Sequence, residues 1–498
     1  MTRLAALSEL PAVVERPGYD PASHGVGIVH LGLGAFHKAH QAVYTDTALA
    51  QSGGDWRITG VSLRSPEPAA QLTPQNSLYT VIERDAGGSR ARVIGAIAQA
   101  LHLGTQHAEV MQALTAPETR IVTLTVTEKG YGIDRATGGA DPRHSAIAHD
   151  LAHPDAPIGV AGLLVLALAK RRAAGIPPFT VLCCDNLPEN GKMLRSLLTD
   201  FARRTAPELA AHIANEVAFP SSMVDRITPA STSETLAAAE EMTGFQDLAA
   251  IETEAFSQWV IEDHFPTGRP AWDLAGALFV EDVRPFEEMK LRMLNGAHSM
   301  LAYAGFLSGH RYVVDVMEDP ALNALVRRHL LAAAATVPPL PGTDLGSYAD
   351  ALVARFSNPH LHHQTYQIAM DGTEKLPQRI LAPALDALKK GQHLDPFAFA
   401  TAAWMRYAMG YSDQGDRYEL RDPQESRIAE CVGISTDAGE IAANLMALPG
   451  LCPDALRQNA AWRSAVTLRL QIMIEKGMRS AIDCEAKSLP QSAAMQAL

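Results

Sequence analysis

Three polar side chains are spaced so that one helix could present them to one substrate. They lie in the stretch Lys290-Leu-Arg-Met-Leu-Asn295-Gly-Ala-His298. On an ideal helix, which advances about 100° per residue, Asn295 lies roughly 140° and His298 roughly 80° from Lys290. All three can therefore line one broad face, which a long lysine side chain can cross. The alternative is an amphipathic helix whose polar side only faces water.

This trio suits the oxidation of an alcohol. As hydride leaves the carbon, a base must take the hydroxyl proton, and Lys290 can do so once its pKa falls from the reference value of about 10.4. The oxygen that becomes negative needs neutral donors, which the side-chain amides of Asn295 and Asn186 can supply. His298 can orient the hydroxyl. In the reverse direction a charged lysine protonates a carbonyl oxygen.

A second group of residues predicts a dinucleotide site. Residues 28–31 predict a buried strand that ends in Gly32-Leu33-Gly34, and residues 36–50 predict a helix. Glycines at such a turn let backbone amides, here those of Ala35 and Phe36, approach a pyrophosphate at the start of the helix. His37 stands where the usual third glycine would be, and an ordinary tight turn is the alternative.

An acidic residue should hold the adenosine ribose beyond the second strand, which we predict at residues 56–63. Glu67 lies there and favours NAD, although it follows the strand later than is usual. Arg64 could instead hold the 2′-phosphate of NADP. A solvated loop carboxylate is the alternative for Glu67.

Polar clusters follow two more predicted strands. Thr127-Glu128-Lys129-Gly130-Tyr131 comes after residues 121–126, and Asp185-Asn186 comes after residues 179–184. Ligands of open α/β sheets lie beyond the carboxyl ends of the strands. The two clusters therefore predict a shared cleft, while an exposed polar loop is the alternative for each alone.

The predicted elements divide the chain into two parts. In the first half, strands alternate with helices such as residues 162–174, which predicts a parallel sheet with right-handed crossovers. From about Lys290 onward helices dominate, at residues 291–307, 321–335, 383–390, 397–409 and 462–482. We predict an α/β, Rossmann-like dinucleotide-binding domain at residues 1–285 and a mostly α-helical domain at residues 286–498 that carries Lys290.

Composition limits the class of protein. The 498 residues are 47% hydrophobic and 19% charged, which is typical of a globular protein with two large domains. The net charge of −13 without a basic cluster argues against a nucleic-acid partner. We expect neither a membrane span nor a leader peptide, and the five cysteines form no CxxC pair, so we expect a cytoplasmic protein. The acidic charge is compatible with a monomer or a homodimer.

The motifs resemble those of a known family, the polyol-specific long-chain dehydrogenases, which include mannitol 2-dehydrogenase and fructuronate reductase. The resemblance runs over nearly the whole chain. It is carried by the Lys290/Asn295/His298 helix and by Gly32-Leu-Gly-Ala-Phe-His-Lys-Ala-His-Gln41, Thr127-Glu-Lys-Gly-Tyr131, Cys184-Asp-Asn186, Phe219-Pro-Ser-Ser-Met-Val-Asp-Arg-Ile-Thr-Pro229 and Gln258-Trp-Val-Ile-Glu-Asp263.

The resemblance implies an NAD-dependent reaction without a metal. The residue matching Lys290 is the general base, those matching Asn186 and Asn295 form the oxyanion site, and the one matching His298 hydrogen-bonds the substrate. Asp225 and Lys375 match substrate contacts of the family, and Glu67 matches the cofactor-binding aspartate of mannitol 2-dehydrogenase.

Two positions bear on the substrate. Mannitol 2-dehydrogenases have an arginine where this chain has Gln367, and both Gln367 and Lys129 resemble fructuronate reductase more closely. A lysine at the edge of the sheet could pair with a uronate carboxylate. The expected reaction is therefore the reduction of D-fructuronate to D-mannonate with NADH. The alternative is a mannitol 2-dehydrogenase or another polyol or ketose dehydrogenase.

The residues also leave other classes of protein open. A zinc enzyme is suggested by His37 and His40 and by His360, His362 and His363, but neither group has cysteines or an HExxH spacing. Lys290 could form a Schiff base in a lyase. A non-catalytic NAD-binding sensor is the remaining alternative, although it would not need a polar trio.

Overall fold

The structure is a computed structural model that describes residues 2–360, 363–433 and 435–488. It divides into two compact units, Met1–Arg284 and Pro285–Leu498. Each unit has its own architecture.

The first unit is built on a five-stranded parallel sheet. The order of its strands is β5-β2-β1-β6-β7, so the chain adds strands to one side of β1 before crossing to the other side at β6. Two three-stranded sheets, β11-β10-β8 and β4-β3-β9, complete the unit. The strands are β1 Val26–Leu31, β2 Arg57–Ser62, β3 Tyr79–Asp85, β4 Gly88–Ile94, β5 Ile97–His102, β6 Ile121–Leu124, β7 Thr180–Cys183, β8 Ser222–Asp225, β9 Ile251–Glu254, β10 Gln258–Glu262 and β11 Leu278–Val280.

Helices cover both faces of the parallel sheet. Successive residues of β1 point to opposite faces, so Ile28 packs with Leu49 on one side and Val29 with Leu164 on the other. The helices are α1 Ala35–Ala39, α2 Gln41–Ser52, α3 Glu67–Leu72, α4 His107–Thr115, α5 Ser145–Ala152, α6 Val160–Ala173, α7 Asn190–Thr205, α8 Pro207–Glu216 and α9 Ser233–Thr243.

The second unit is mostly helical, and two of its helices contain a π-turn. The π-turns are Leu291–Asn295 and Pro377–Leu381. The helices are α10 Arg284–Lys290, α11 Gly296–Leu307, α12 Val313–Glu318, α13 Pro320–Thr336, α14 Leu345–Phe356, α15 Thr365–Ala369, α16 Gly372–Leu376, α17 Ala382–Lys389, α18 Asp395–Ala408, α19 Glu425–Val432, α20 Ala438–Met446, α21 Asp454–Gln458 and α22 Ala460–Lys487.

The predicted fold class is confirmed, and two predicted helices differ in detail. Residues 36–50 form two helices, α1 and α2, because the backbone of His40 breaks the run with φ −113° and ψ −90°. The segment after Lys290 begins as a π-turn rather than an α-helix. Among the helices that the structure describes, none combines the length and the apolar character needed to cross a bilayer.

Candidate active site

Two glycines shape the turn between β1 and α1, for different reasons. Gly32 has a φ of +106°, and a β-carbon there would lie 2.1 Å from the carbonyl oxygen of Thr125. Gly34 is extended, and a β-carbon there would meet only the Gly32 carbonyl oxygen, at 3.7 Å. Packing within the chain does not require glycine at position 34, whereas a phosphate above the turn would. Ala35 and Phe36 open α1 here, so their amides have no partner inside the helix, and the turn fits a pyrophosphate.

His37 occupies the position of the third glycine and is fully buried. Its ring stacks on that of His30 in β1, with centroids 3.5 Å apart. The side-chain oxygen of Gln41 lies 3.1 Å from His37 Nδ1 and accepts a hydrogen bond of 2.8 Å from Thr123. Burial lowers the pKa of His30 to about 3 and that of His37 well below its usual value, so both rings are neutral. The helix α1 therefore rests on stacked imidazoles.

Glu67 lies in a helix rather than at the end of a strand. β2 ends at Ser62, and Glu67 is an exposed residue in the first turn of α3. Its Oε1 accepts a hydrogen bond of 3.0 Å from Gln71. Arg64 is the charged side chain nearer the strand end. The ribose-binding role of Glu67 stays a prediction.

The carboxylate of Asp185 joins the loops that follow β6 and β7. Its Oδ2 accepts hydrogen bonds from Val126 N at 2.8 Å and from Tyr131 OH at 2.6 Å. Its Oδ1 accepts from Thr127 N at 3.3 Å. Burial raises the pKa of Asp185, although these three donors oppose the shift. The loop that contains Thr127 is therefore tied to the loop that contains Asn186.

Two cavities lie at these strand ends in the first unit. The larger has a volume of 640 Å³, and its lining includes Arg64, Glu128, Lys129, Arg135, Asp141 and His144. The smaller has a volume of 350 Å³, and its lining includes Leu63, Arg64, Val126, His144, Ile158 and Val160. The structure thus brings Glu128 and Lys129 together with Arg64.

The acidic groups of the larger cavity are paired with arginines. Glu128 pairs with Arg135, and Asp141 pairs with a neighbouring arginine at 2.9 Å. Among the residues that the structure describes, no acidic side chain pairs with Arg64 or Lys129. Two positive charges in this cavity are therefore left uncompensated, which suits the binding of an anion.

Asp225 is the last residue of β8 and is buried. The next residue, Arg226, donates hydrogen bonds to the carbonyl oxygens of Ala39 at 2.5 Å and Glu254 at 2.9 Å, and pairs with Glu83 at 2.5 Å. Ala39 is the last residue of α1. Arg226 therefore ties the helix after the glycine turn to the strand that carries Asp225.

In the second unit, Lys290 ends α10 and a π-turn follows it. The amide of Gly296 donates to the carbonyl oxygen of Leu291, five residues earlier, which is the π-helical pattern. Lys290 is 8% exposed, and Asn295 and His298 are partly buried. The angles expected from an ideal α-helix are wrong here, because the π-turn takes more residues per turn than an α-helix and so advances by a smaller angle per residue.

The second π-turn packs against the first. A β-carbon on Gly296 would lie 2.8 Å from the carbonyl oxygen of Arg379. The guanidinium of Arg379 donates to the carbonyl oxygen of Asn295 at 3.5 Å and to Ser299 Oγ at 3.3 Å. Burial lowers the pKa of Arg379. These contacts fix the backbone at Asn295.

His298 lies among aromatic and cationic side chains. Its ring centroid is 4.5 Å from that of Phe356 and 5.7 Å from that of His363. Burial, then the electrostatic effects of His363, Arg355 and Arg379, lower the pKa of His298 well below its usual value. A neutral imidazole has one donor and one acceptor nitrogen, as a residue that orients a hydroxyl needs.

Lys375 and Gln367 lie on neighbouring short helices of the second unit. Lys375 donates to the carbonyl oxygen of Met370 at 2.6 Å and lies 3.4 Å from Asp371. Burial, then the charge of Arg379, lower the pKa of Lys375. Gln367 is exposed on α15. The roles predicted for both residues stay predictions.

The histidines that suggested zinc have other contacts. His37 stacks on another imidazole, and His40 Nε2 lies 3.0 Å from the carbonyl oxygen of Gln258. His360 is exposed, and His362 lies outside the described residues. Within residues 2–360, 363–433 and 435–488, no group of three or more His, Cys, Asp or Glu side chains is placed to hold a metal.

The sequence predicted no role for Arg226 and Arg379, and it placed Asp185 only in a polar cluster. Asp185 and Arg226 lie within quoted motifs and Arg379 lies in none, and the partners of all three come from distant parts of the chain. The one signal available was a charged residue beside a predicted site residue, as with Asp185 before Asn186 and Arg226 after Asp225.

The sequence and the structure were compared with known proteins. Residues 26–274 match the model of the mannitol dehydrogenase Rossmann domain, and residues 282–474 match that of the mannitol dehydrogenase C-terminal domain. D-mannonate oxidoreductase of Escherichia coli (strain K12) is 43% identical over 480 residues, which cover 95% of this chain and 98% of that protein.

Two solved structures resemble the whole chain. Substrate-free D-sorbitol dehydrogenase is 34% identical with a TM-score of 0.90, covering 97% of this chain and 100% of that one. The Pseudomonas fluorescens mannitol 2-dehydrogenase complex with NAD and D-mannitol is 37% identical with a TM-score of 0.78, covering 98% and 100%.

Proposed function

Because the chain belongs to the mannitol dehydrogenase family, we propose that it reduces D-fructuronate to D-mannonate with NADH and catalyses the reverse reaction with NAD. It is an oxidoreductase of the EC 1.1.1 type with NAD as cofactor. Its likeness to D-mannonate oxidoreductase supports the choice of a sugar acid. Because the relatives are oxidoreductases, nothing supports the alternative of a non-catalytic NAD-binding sensor.

The observation that carries the proposal is the charge of the larger cavity. Its acids are paired with arginines, whereas Lys129 and Arg64 have no acidic partner among the described residues. A charge-assisted hydrogen bond between an ammonium and a carboxylate is roughly twice as strong as a neutral one. Lys129 is therefore suited to receive the carboxylate of a uronate, which a polyol lacks.

The first unit supplies the cofactor site in this proposal. A nicotinamide cofactor bound here would supply hydride transfer, from the alcohol carbon in oxidation and to the ketone carbon in reduction. The amides of Ala35 and Phe36 at the Gly32–Gly34 turn hold the pyrophosphate. Further contacts are assigned to Thr127, Glu128 and Glu67.

The proton is moved by Lys290. Its Nζ takes the hydroxyl proton during oxidation and returns it to the carbonyl oxygen during reduction. The amides of Asn186 and Asn295 donate to the oxygen as it becomes negative. His298, held neutral by its surroundings, orients the hydroxyl. We assign contacts with the rest of the sugar chain to Asp225, Gln367 and Lys375.

A mannitol 2-dehydrogenase is the second candidate. It is favoured by the 37% identity with the Pseudomonas fluorescens enzyme, whose structure holds D-mannitol. The two candidates differ in whether the substrate carries a carboxylate. Another polyol or ketose dehydrogenase would share the neutral substrate.

A comparison of substrates tests the proposal. NADH oxidation is followed with D-fructuronate, D-tagaturonate and D-fructose at equal concentrations, in the unmodified enzyme and in Lys129→Met. We expect a ketouronate to be preferred, and Lys129→Met to raise its KM about tenfold, the equivalent of about 1.4 kcal/mol. The KM for fructose should not change.

Lys170→Met is the matched control, because Lys170 is an exposed lysine on α6 of the same unit. It should leave both KM values unchanged. Preference for fructose would favour the mannitol 2-dehydrogenase candidate. Equal losses on both substrates in Lys129→Met would exclude the carboxylate contact.

We also place the enzyme in the cytoplasm. All five cysteines are free, and reducing compartments keep thiols in this state. We expect a monomer or a homodimer.

A further inference from the structure

We propose that Asp185 is a positioning residue whose carboxylate holds Thr127 in a backbone conformation typical of glycine, and so directs the segment Thr127–Lys129 toward the larger cavity. The inference rests on the proposed function, which takes Glu128 and Lys129 as part of the ligand site. It adds a residue that touches neither the substrate nor the cofactor.

The backbone of Thr127 has a conformation that is rare for its residue type. Its φ of +70° and ψ of 153° lie in a region that almost only glycine occupies. Among the described non-glycine residues with positive φ, Thr127 alone is branched at the β-carbon. A β-branched residue in this region is strained and persists only where its surroundings enforce it.

The surroundings that enforce it are the hydrogen bonds to Asp185. The carboxylate accepts from the amides of Val126 at 2.8 Å and Thr127 at 3.3 Å, so it fixes the peptide unit that precedes the α-carbon of Thr127. On the other side of Thr127, Tyr131 OH donates to the same carboxylate at 2.6 Å, so Asp185 holds the chain both before and after Thr127. Asn190 Nδ2 donates to the backbone carbonyl oxygen of Asp185 at 3.1 Å and so anchors the backbone of Asp185 itself.

The direction of the following residues depends on this conformation. The 3-10 turn Glu128–Gly130 begins immediately after Thr127, and both Glu128 and Lys129 line the larger cavity. If Thr127 relaxed to an ordinary extended or helical conformation, the turn would leave β6 in another direction. Asp185 thus places the Lys129 ammonium without contacting it.

A double-mutant cycle separates this role from a general effect on folding. Glycine adopts positive φ without strain, so Thr127→Gly should make the carboxylate less necessary. We expect Asp185→Ala to lower kcat/KM about tenfold when residue 127 is threonine, but less than about threefold in the Thr127→Gly background. The dissociation constant for NADH, measured by fluorescence quenching, should also rise more on Asp185→Ala when residue 127 is threonine than when it is glycine. Equal losses in the two backgrounds would overturn the proposal.

Asp247→Ala is the matched control. The Asp247 carboxylate is buried and also accepts two backbone hydrogen bonds, from Thr80 and Ala249, and one from a side chain, that of Gln75. We expect both alanine variants to lower the melting temperature, but only Asp185→Ala to lower kcat/KM. If kcat/KM fell equally in Asp247→Ala, loss of stability alone would explain the effect of Asp185→Ala, and the proposal would be contradicted.

A substitute variant and a second substrate complete the experiment. If Asp185→Ala does not fold, Asp185→Asn replaces it in the cycle, because an amide retains one acceptor oxygen. Every variant is assayed with D-fructuronate and D-fructose. Preference for fructose in the unmodified enzyme would contradict the proposed function, yet the dependence of the Asp185 effect on residue 127 would still be measured with fructose.

Discussion

Lys290 is the residue to which the proposed chemistry assigns the proton. It is buried at the end of α10, whereas the residues assigned to the cofactor belong to the first unit. We expect Lys290→Met to lower kcat by about 10²–10⁴-fold, the usual contribution of a general acid or base. The dissociation constant for NADH should stay within about twofold of that of the unmodified enzyme.

Single-turnover reduction and a fluorescence titration with NADH measure the two quantities. Lys476→Met serves as control, because Lys476 is an exposed lysine of the same unit. A Lys290→Met enzyme that kept most of its kcat would assign the proton transfer to another group. Borohydride trapping of a substrate adduct on Lys290 would instead indicate the Schiff-base chemistry considered from the sequence.

For single residues, the sequence predicts which ones belong to the candidate site better than it predicts which other residues hold them in place. The residues of the Gly32–Gly34 turn and of the Thr127–Lys129 loop were found from their places after predicted strands. The partners that hold such residues come from far along the chain: Asp185 is 59 positions from Val126, and Arg379 is 84 positions from Asn295. Local pattern carries no signal for contacts at that separation.

The pair of π-turns is the element that determines where Asn295 lies. Gly296 permits their contact, since a β-carbon there would come within 2.8 Å of the carbonyl oxygen of Arg379. We expect Gly296→Ala to destabilise the protein by about 1–3 kcal/mol, the usual cost of overpacking. Because the backbone must move to make room for the added methyl group and would carry Asn295 with it, kcat should fall by a larger factor than KM rises.

Chemical unfolding and steady-state kinetics check this expectation. Gly346→Ala, in an exposed first turn of α14, is the control and should be neutral or slightly stabilising. Unchanged stability and kcat in Gly296→Ala would show that the π-turns do not depend on this contact.

Most strands of the parallel sheet were predicted, whereas β3 was not, although its sequence Tyr-Thr-Val-Ile-Glu-Arg-Asp is rich in β-branched residues. The alternation of strands and helices indicated the parallel sheet, and the helix after Lys290 was predicted. The π-turn was not, and its contacts come from residues 377–381, far along the chain, where local sequence carries no signal. β5, with the sequence Ile-Ala-Gln-Ala-Leu-His, has few β-branched residues and was not predicted as a strand.

Across the whole molecule, several histidines are buried in neutral form. Burial lowers the pKa of His329 to about 4, and a contact with the Pro396 carbonyl offsets only part of this shift. His30 and His298 are shifted in the same direction. In the unfolded chain these rings take up protons near their ordinary value of about 6.5.

The sign of the pH effect follows from this difference. Between pH 6.5 and about 4 the unfolded chain binds protons that the ring of His329 does not, so stability falls as the pH is lowered. Above pH 6.5 the ring is neutral in both states, and its contribution is constant. We expect the free energy of unfolding to fall steadily from near neutral pH toward about pH 4.

Urea unfolding at a series of pH values measures this slope. His329→Leu should make the slope shallower, because it removes one group that takes up a proton on unfolding. His393→Gln, at an exposed histidine of the same unit, should leave the slope unchanged. An unaltered slope in His329→Leu would show that this ring is protonated in the folded protein as readily as in the unfolded chain.

The stacked imidazoles beneath α1 have a consequence for protein engineering. In the usual dinucleotide fingerprint the third glycine lets the helix lie close to the sheet, and consensus design would restore it at position 37. Here that position holds a fully buried ring stacked on His30. Replacing His37 with glycine would leave a void the size of an imidazole beside a second buried histidine. The substitution would bring the sequence nearer to the consensus, yet it would weaken the support of the glycine turn.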